Sequence, residues 1–168
     1  MGELKTEGKN ELGHPGMVDE LGKQISSGTM QYVVIQIGNE QYGIDINYVD
    51  NIVRMQHATR VPKVAPYIKG VINLRGEVIP IMSVRLKMGL PEVEDTKNTR
   101  IIIVKMDQQG TIGLIVDEVK EVLTIELDSI DKVTYDKDVK NRFLSGIAKV
   151  EDRLISLLDL NAITSENA

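Results

Sequence analysis

YIKGVINLRGEVIPIMSV, residues 67–84, has a second version in FLSGIAKVEDRLISLLDL, residues 143–160. Laid over each other without a gap, they place Gly146 on Gly70 and Leu154 on Val78, with apolar residues alternating in step. Alternation over four to eight residues is the signature of a half-buried strand. In each copy two such runs flank a polar tip, Arg75-Gly76 in the first and Glu151-Asp152 in the second. The first copy therefore reads as a hairpin of Ile68 to Leu74 with Glu77 to Met82, closed by an X-Gly turn. Pro80 cannot donate to a ladder, which predicts an edge or a bulge at that position.

A second block repeats as well. YGIDINYVDNIV, residues 42–53, lies over IGLIVDEVKEVL, residues 112–123, with Gly113 on Gly43 and Val119 on Val49. Upstream, Ile101 to Val104 are matched to Val33 to Gln36. Tyr32 to Ile37 and Gln41 to Ile46 predict another hairpin around Gly38-Asn39-Glu40. Beyond it Asn47 is a candidate N-cap for a short helical turn through Val49, Ile52 and Val53, with a strand starting there as the alternative. One ancestral unit used twice, with about five short strands per copy, predicts a mainly β fold of two small barrels, because closure removes exposed strand edges. A groove between the two pseudo-equivalent lobes follows. The expected organisation is an arm over residues 1–29 and a folded region over 30–168. Its first lobe is expected at about 30–95 and its second at about 96–165, with the acidic stretch Pro91 to Asp95 as connector. The arm holds six of the fourteen glycines and no sustained apolar period, so it lacks the means to offset ordering entropy.

Composition narrows the function. With no Cys there is no disulfide framework, thiol nucleophile or thiolate metal site, and a reducing cytosol suits the chain. No stretch approaches the roughly 20 apolar residues that span a bilayer. The two histidines, His14 and His57, have no metal-ligand spacing around them, and no nucleotide-binding or nucleophile-elbow motif is present, so neither metal nor cofactor is expected. The carboxylate pairs Asp45/Asp50, Asp117/Glu118 and Glu151/Asp152 fall at turns and strand ends, where acids are commonly just solvated. A net charge of −5 speaks against nucleic acid. Arg54 to Lys87 nevertheless contains seven Lys or Arg and one acid, a local +6 against −11 elsewhere. That stretch keeps a second reading open, a small nucleic-acid-binding β-barrel, against which stands the 4% aromatic content.

The repeats differ where structure alone would not require it. Arg75-Gly76 is answered by Glu151-Asp152, and Asn73 by Lys149. A hairpin tip has no need of Arg, whose fixed fork of donors suits a carboxylate, and this makes Arg75 the foremost contact candidate. The competing role is a local cap or a pair with Glu77.

YGIDI at 42–46, then Val49 and Ile52, IKGVINLRGEVIPI at 68–81 and GLIVDEV at 113–119 together resemble the CheW family of bacterial chemotaxis coupling proteins, over roughly residues 31–163. The resemblance implies two five-stranded SH3-like barrels joined by an apolar interface, with no catalytic activity. It implies a cytoplasmic adaptor without membrane insertion that binds the regulatory domain of the histidine kinase CheA and the cytoplasmic tip of methyl-accepting chemoreceptors. By the same resemblance, Val49, Asn51, Gly70, Arg75, Val119 and Val122 match the receptor-binding positions of a groove between the lobes. Asn51 stands where many members carry a Glu, so the ion pair expected there is absent.

Overall fold

Two strands have central runs, Val33 to Ile35 and Ile101 to Val104, with no polar side chain that could face water. β1 (Thr29–Ile37) and β6 (Arg100–Met106) are each buried on both faces through their central residues. Strands covered on both sides read as continuous apolar runs rather than as alternation. Val33, Ile35 and Ile37 of β1, with Ile102, Val104 and Met106 of β6, meet in one central core. The opposite faces fill two separate cores: Tyr32 and Val34 in one lobe, Ile101 and Ile103 in the other. The protein is thus a stack of lobe core, shared core and lobe core.

The computed structural model describes residues 28–133 and 140–165. The arm expected over residues 1–29 lies outside them except for Gly28 and Thr29, and Thr29 already opens β1. The other strands are β2 (Glu40–Asp45), β3 (Val49–Arg54), β4 (Ile68–Leu74), β5 (Glu77–Ser83), β7 (Gly110–Val116), β8 (Glu118–Glu126), β9 (Ile130–Lys132), β10 (Leu144–Val150) and β11 (Arg153–Leu158). Two short helices follow the last hairpins, α1 (Val84–Lys87) and α2 (Leu160–Thr164). Their N-caps are repeat equivalents: Ser83 accepts from the Leu86 amide and Asp159 from that of Ala162.

One sheet runs β8-β1-β2-β11-β10-β9 and the other β3-β6-β7-β5-β4. Each takes strands from both halves of the chain. Parallel pairing of β2 with β11 places Gly43 beside Leu157, and that of β7 with β5 places Gly113 beside Ile81. The expected division into lobes of about 30–95 and 96–165 therefore describes the sequence repeats and not the sheets. Both sheets curl shut. β8 and β9 are separated only by the 3₁₀ turn Leu127–Ser129, and pair with β1 and β10 at opposite ends of one sheet. In the other, the chain leaving β3 reaches Thr59, which bridges to Val71 of β4. Counting β8 and β9 as one bent strand, each lobe is a five-stranded barrel, as expected.

Three local readings change. The matching of Ile101 to Val33 is one residue out. Gly43 pairs with Val34 and Gly113 with Ile103, so Ile103 is the counterpart of Val34. The cause is turn length, two residues at Gly38-Asn39 and three at Asp107-Gln108-Gln109. A slip of one residue turns every side chain to the other face. Asn47 is not the N-cap: the 3₁₀ turn Ile46–Tyr48 is capped by Asp45, whose Oδ1 accepts from the Asn47 amide at 2.9 Å, and β3 follows as a strand. Pro80 sits in a strand inside the sheet order, yet pairing with β7 starts only at Ile81, so no donor is missed there.

An ion pair fixes the start of β8. Arg85 forks onto Asp117, Nε to Oδ1 at 3.1 Å and Nη2 to Oδ2 at 2.8 Å, while the Gly38 amide donates to Oδ2 at 2.8 Å. Arg85 Nη1 also reaches the Pro91 carbonyl at 3.1 Å. One carboxylate thereby ties α1, the β1–β2 turn and the β7–β8 bend together. Burial pushes the Asp117 carboxyl up, but the Arg85 hydrogen bond, the Gly38 amide and the guanidinium charge outweigh it and leave the group below the ordinary carboxylate range.

Two stability outcomes follow from these contacts. Gly70 has φ 142°, and a Cβ there would lie 2.4 Å from the Thr59 carbonyl oxygen at the barrel seam, whereas one on Gly76 meets nothing within 4 Å. Gly70→Ala is expected to cost about 3 kcal/mol or more in urea unfolding and Gly76→Ala about 1 kcal/mol; equal costs would remove the seam from its place in the fold. Because the folded Asp117 titrates below its unfolded value near about 3.9, its contribution is complete above that pH and is lost as pH falls through the folded value. The difference in Tm between wild type and Asp117→Asn is expected to hold from about pH 7 to 5 and close below about pH 4. A difference undiminished in strong acid would contradict this.

Candidate docking groove

β3 and β8 are repeat equivalents and edge strands, paired on one side to β6 and β1. Residues paired across an antiparallel ladder project to the same face. Val49 pairs with Val104 and Ile52 with Ile102; Val119 pairs with Ile35 and Val122 with Val33. All four partners belong to the shared core. Val49 and Val119 pack against that core, while Ile52 is 38% and Val122 48% exposed. The shared core thus comes to the surface along both edge strands as two apolar rims, one from each repeat.

The structure brings Val49, Val119 and Val122 onto these rims, and adds Ile52. Sequence reasoning missed Ile52, although the repeat lays it directly under Val122. Asn51 is not among them. A bulge in β3 sets it opposite Ile103, which faces the lobe core, and its Oδ1 accepts from the Ile52 amide at 2.8 Å. Gly70 lies at the barrel seam beside Thr59, buried and without a side chain to offer.

Arg75 is exposed at the β4–β5 tip with φ 54°, followed by Gly76 at 82°. Positive φ at both central residues is what a type I′ hairpin turn requires, and it favours Asn, Asp or Gly over Arg. The local bond is made by Asn73, whose Oδ1 accepts from the Gly76 amide at 3.1 Å. Arg75 itself has neither a hydrogen bond nor an ion pair among the described residues, Glu77 included. It bears the backbone cost of the turn, about 1 kcal/mol, and presents its guanidinium to solvent.

The basic stretch from Arg54 to Lys87 divides by structure. Arg85 holds Asp117, and Lys69 pairs with Glu92 of the connector. Lys87 is buried 4.0 Å from the Tyr67 ring centroid and donates to the Ser165 carbonyl at 2.5 Å. Arg54, Arg60, Lys63 and Arg75 stay exposed. Two of the three carboxylate pairs are engaged: Asp45 caps a turn, Asp50 lies 3.6 Å from Lys105, Asp117 holds Arg85 and Glu118 lies 3.7 Å from Lys120, while Glu151 and Asp152 are exposed at the β10–β11 tip. His57 is an exposed loop residue. Among the described residues no group of three His, Cys, Asp or Glu is placed to hold a metal, and no helix is long and apolar enough to cross a membrane.

Comparison with known proteins agrees with this architecture. The CheW-like domain family matches residues 31–168. The chain is 39% identical over 140 residues to the chemotaxis protein CheW of Bacillus subtilis (strain 168), covering 81% of this chain and 87% of that one. It is 36% identical over 138 residues to the chemotaxis protein CheW of Helicobacter pylori, covering 82% and 83%. The crystal structure of the scaffolding protein TtCheW from Thermoanaerobacter tengcongensis superposes with a TM-score of 0.73 at 35% identity, over 77% of this chain and 88% of that one. Duplicated barrels, a shared apolar core and an NLRG hairpin tip, found in a chain with these relatives, establish that it belongs to the CheW family.

Proposed function

We propose that this chain is a non-catalytic chemotaxis scaffold of the cytoplasm, holding the regulatory domain of the histidine kinase CheA and the cytoplasmic tip of chemoreceptors together beneath the membrane. The observation that carries the receptor half of this reading is the pair of apolar rims at which the shared core meets solvent. A receptor hairpin offers helices with apolar faces, and helix docking needs exposed apolar side chains such as Ile52 and Val122. Val49, Ile52, Val119 and Val122 supply the apolar contacts. Arg75, presented without a local partner, fixes register through a carboxylate on the helix. Asn51 and Gly70 act through the backbone, Asn51 beside Ile52 in the β3 bulge and Gly70 by closing the barrel. A different face engages the kinase. Nothing among the relatives supports the nucleic-acid alternative.

Calorimetric titration with a receptor-tip fragment and, separately, with the CheA regulatory domain tests both halves. Arg75→Glu and Val122→Asp are each expected to lower receptor affinity about tenfold or more, with kinase binding and Tm nearly unchanged. Receptor affinity untouched in both folded variants would remove the groove assignment, and absence of binding to either partner would remove the scaffold reading.

A further inference from the structure

The pseudo-symmetry of the fold gives each lobe a cleft beside its short helix, and the two have diverged in charge. In one, Lys69, Ser83, Arg85, Ile115 and Asp117 line the wall, and the cation is built in as Arg85 forked onto Asp117. In the other, the equivalents of Lys69, Ser83, Arg85 and Ile115 are Ser145, Asp159, Asn161 and Asp45, joined by Tyr32 and Tyr48. The arginine has become an asparagine, and two positions that were neutral have become acids.

These acids have unused capacity. Asp45 Oδ1 accepts from the Asn47 amide at 2.9 Å and Asp159 Oδ1 from the Ala162 amide at 3.2 Å. Neither carboxylate has a cationic partner among the described residues. Tyr32 is independent of these caps. It is only 8% exposed, lines the same pocket, and its hydroxyl has no hydrogen-bond partner among the described residues. Tyr32 lies opposite Asp45 in the β1–β2 ladder, and burial, then the charge of Asp45, raise its pKa above the ordinary tyrosine value.

Size restricts the occupant. The pocket is open to solvent on one side and holds about 160 Å³, below the roughly 300 Å³ at which sites for whole small molecules begin. It accommodates the end of one side chain. Two carboxylates and a phenol oxygen call for a donor with several N–H groups spread in a plane, and the tyrosine rings suit a flat cation.

We infer that the pocket formed by Tyr32, Asp45, Asp159 and Asn161 receives one arginine side chain from a protein partner, taking in trans the cation that Arg85 supplies internally in the other lobe. The inference rests on the scaffold reading only in making the donor a protein.

The test is an NMR titration of the full chain with N-acetyl-argininamide, following the ring signals of Tyr32 and Tyr48 and the side-chain amide of Asn161. Its uncharged isostere, N-acetyl-citrullinamide, is the control. Saturable shifts are expected with the arginine compound alone. They should weaken about fivefold or more in the double variant Asp45→Asn/Asp159→Asn, in which Asn retains the capping oxygens. Tyr32→Phe, which keeps the ring in the core, should weaken them as well. Shifts that fail to saturate, equal binding of the citrulline compound, or undiminished binding in both folded variants would overturn the inference. The probe involves neither kinase nor receptor, so that result would leave the scaffold reading to its own test.

Discussion

Burial of β1 and β6 on both faces is the constraint from which the rest of the architecture follows. A five-stranded barrel needs only one apolar face per strand, but these two strands must complete a barrel and also meet each other across the shared core. Each Val or Ile fully buried there contributes about 1.5–3 kcal/mol, and the central runs Val33 to Ile35 and Ile101 to Val104 have no polar position that could be turned to water. The lobes therefore cannot separate without exposing a continuous apolar sheet face. The same geometry makes the rims unavoidable. β3 and β8 extend the sheets beyond β6 and β1, so their inner faces continue the shared core to a point where nothing among the described residues covers Ile52 and Val122 fully.

Much of this was legible in the residues, and its limits have physical causes. Hairpins announce themselves locally, through alternation and turn chemistry, and the repeat supplied a second copy against which each could be checked. Partner choice between hairpins is non-local. Nothing in Gly43 or Gly113 alone says that each will lie beside a strand of the other repeat, although both are glycines because a Cβ would come within 2.8 Å of Leu157 or Ile81. The single-residue error at Ile101 has the same origin, since an ungapped match cannot register a turn that has gained one residue.

The candidate site divides in a similar way. Arg75 stood out because a hairpin tip has no structural use for it, and its surroundings bear this out. Ile52 is not among the expected contact positions, because from the sequence alone its segment reads equally as a helical turn or a strand and its face is undefined. Only the ladder partner, which belongs to the shared core, reveals that its outer side opens to solvent. Charge was the least legible feature. Of the seven cations that make residues 54–87 basic, three are committed to an aspartate, a glutamate, and a tyrosine ring with a carbonyl, and such pairings depend on contacts far apart in sequence.

Exchange of hairpins between the repeats also bears on how the chain comes to exist at all. The sheet that begins with β1 is completed by β11, which ends at Leu158, and the sheet that holds β4 and β5 needs β6 and β7. A nascent chain therefore cannot close the barrel that begins with β1 until β11 has been made, while the barrel holding β4 and β5 has all its strands once β7 ends at Val116, although domains ordinarily fold in order from the N-terminus. Two copies of an ancestral half-length chain, trading hairpins across a two-fold axis, would already have possessed both barrels and the shared core. Joining two such copies into one polypeptide would keep both barrels and leave the two halves free to acquire different surfaces.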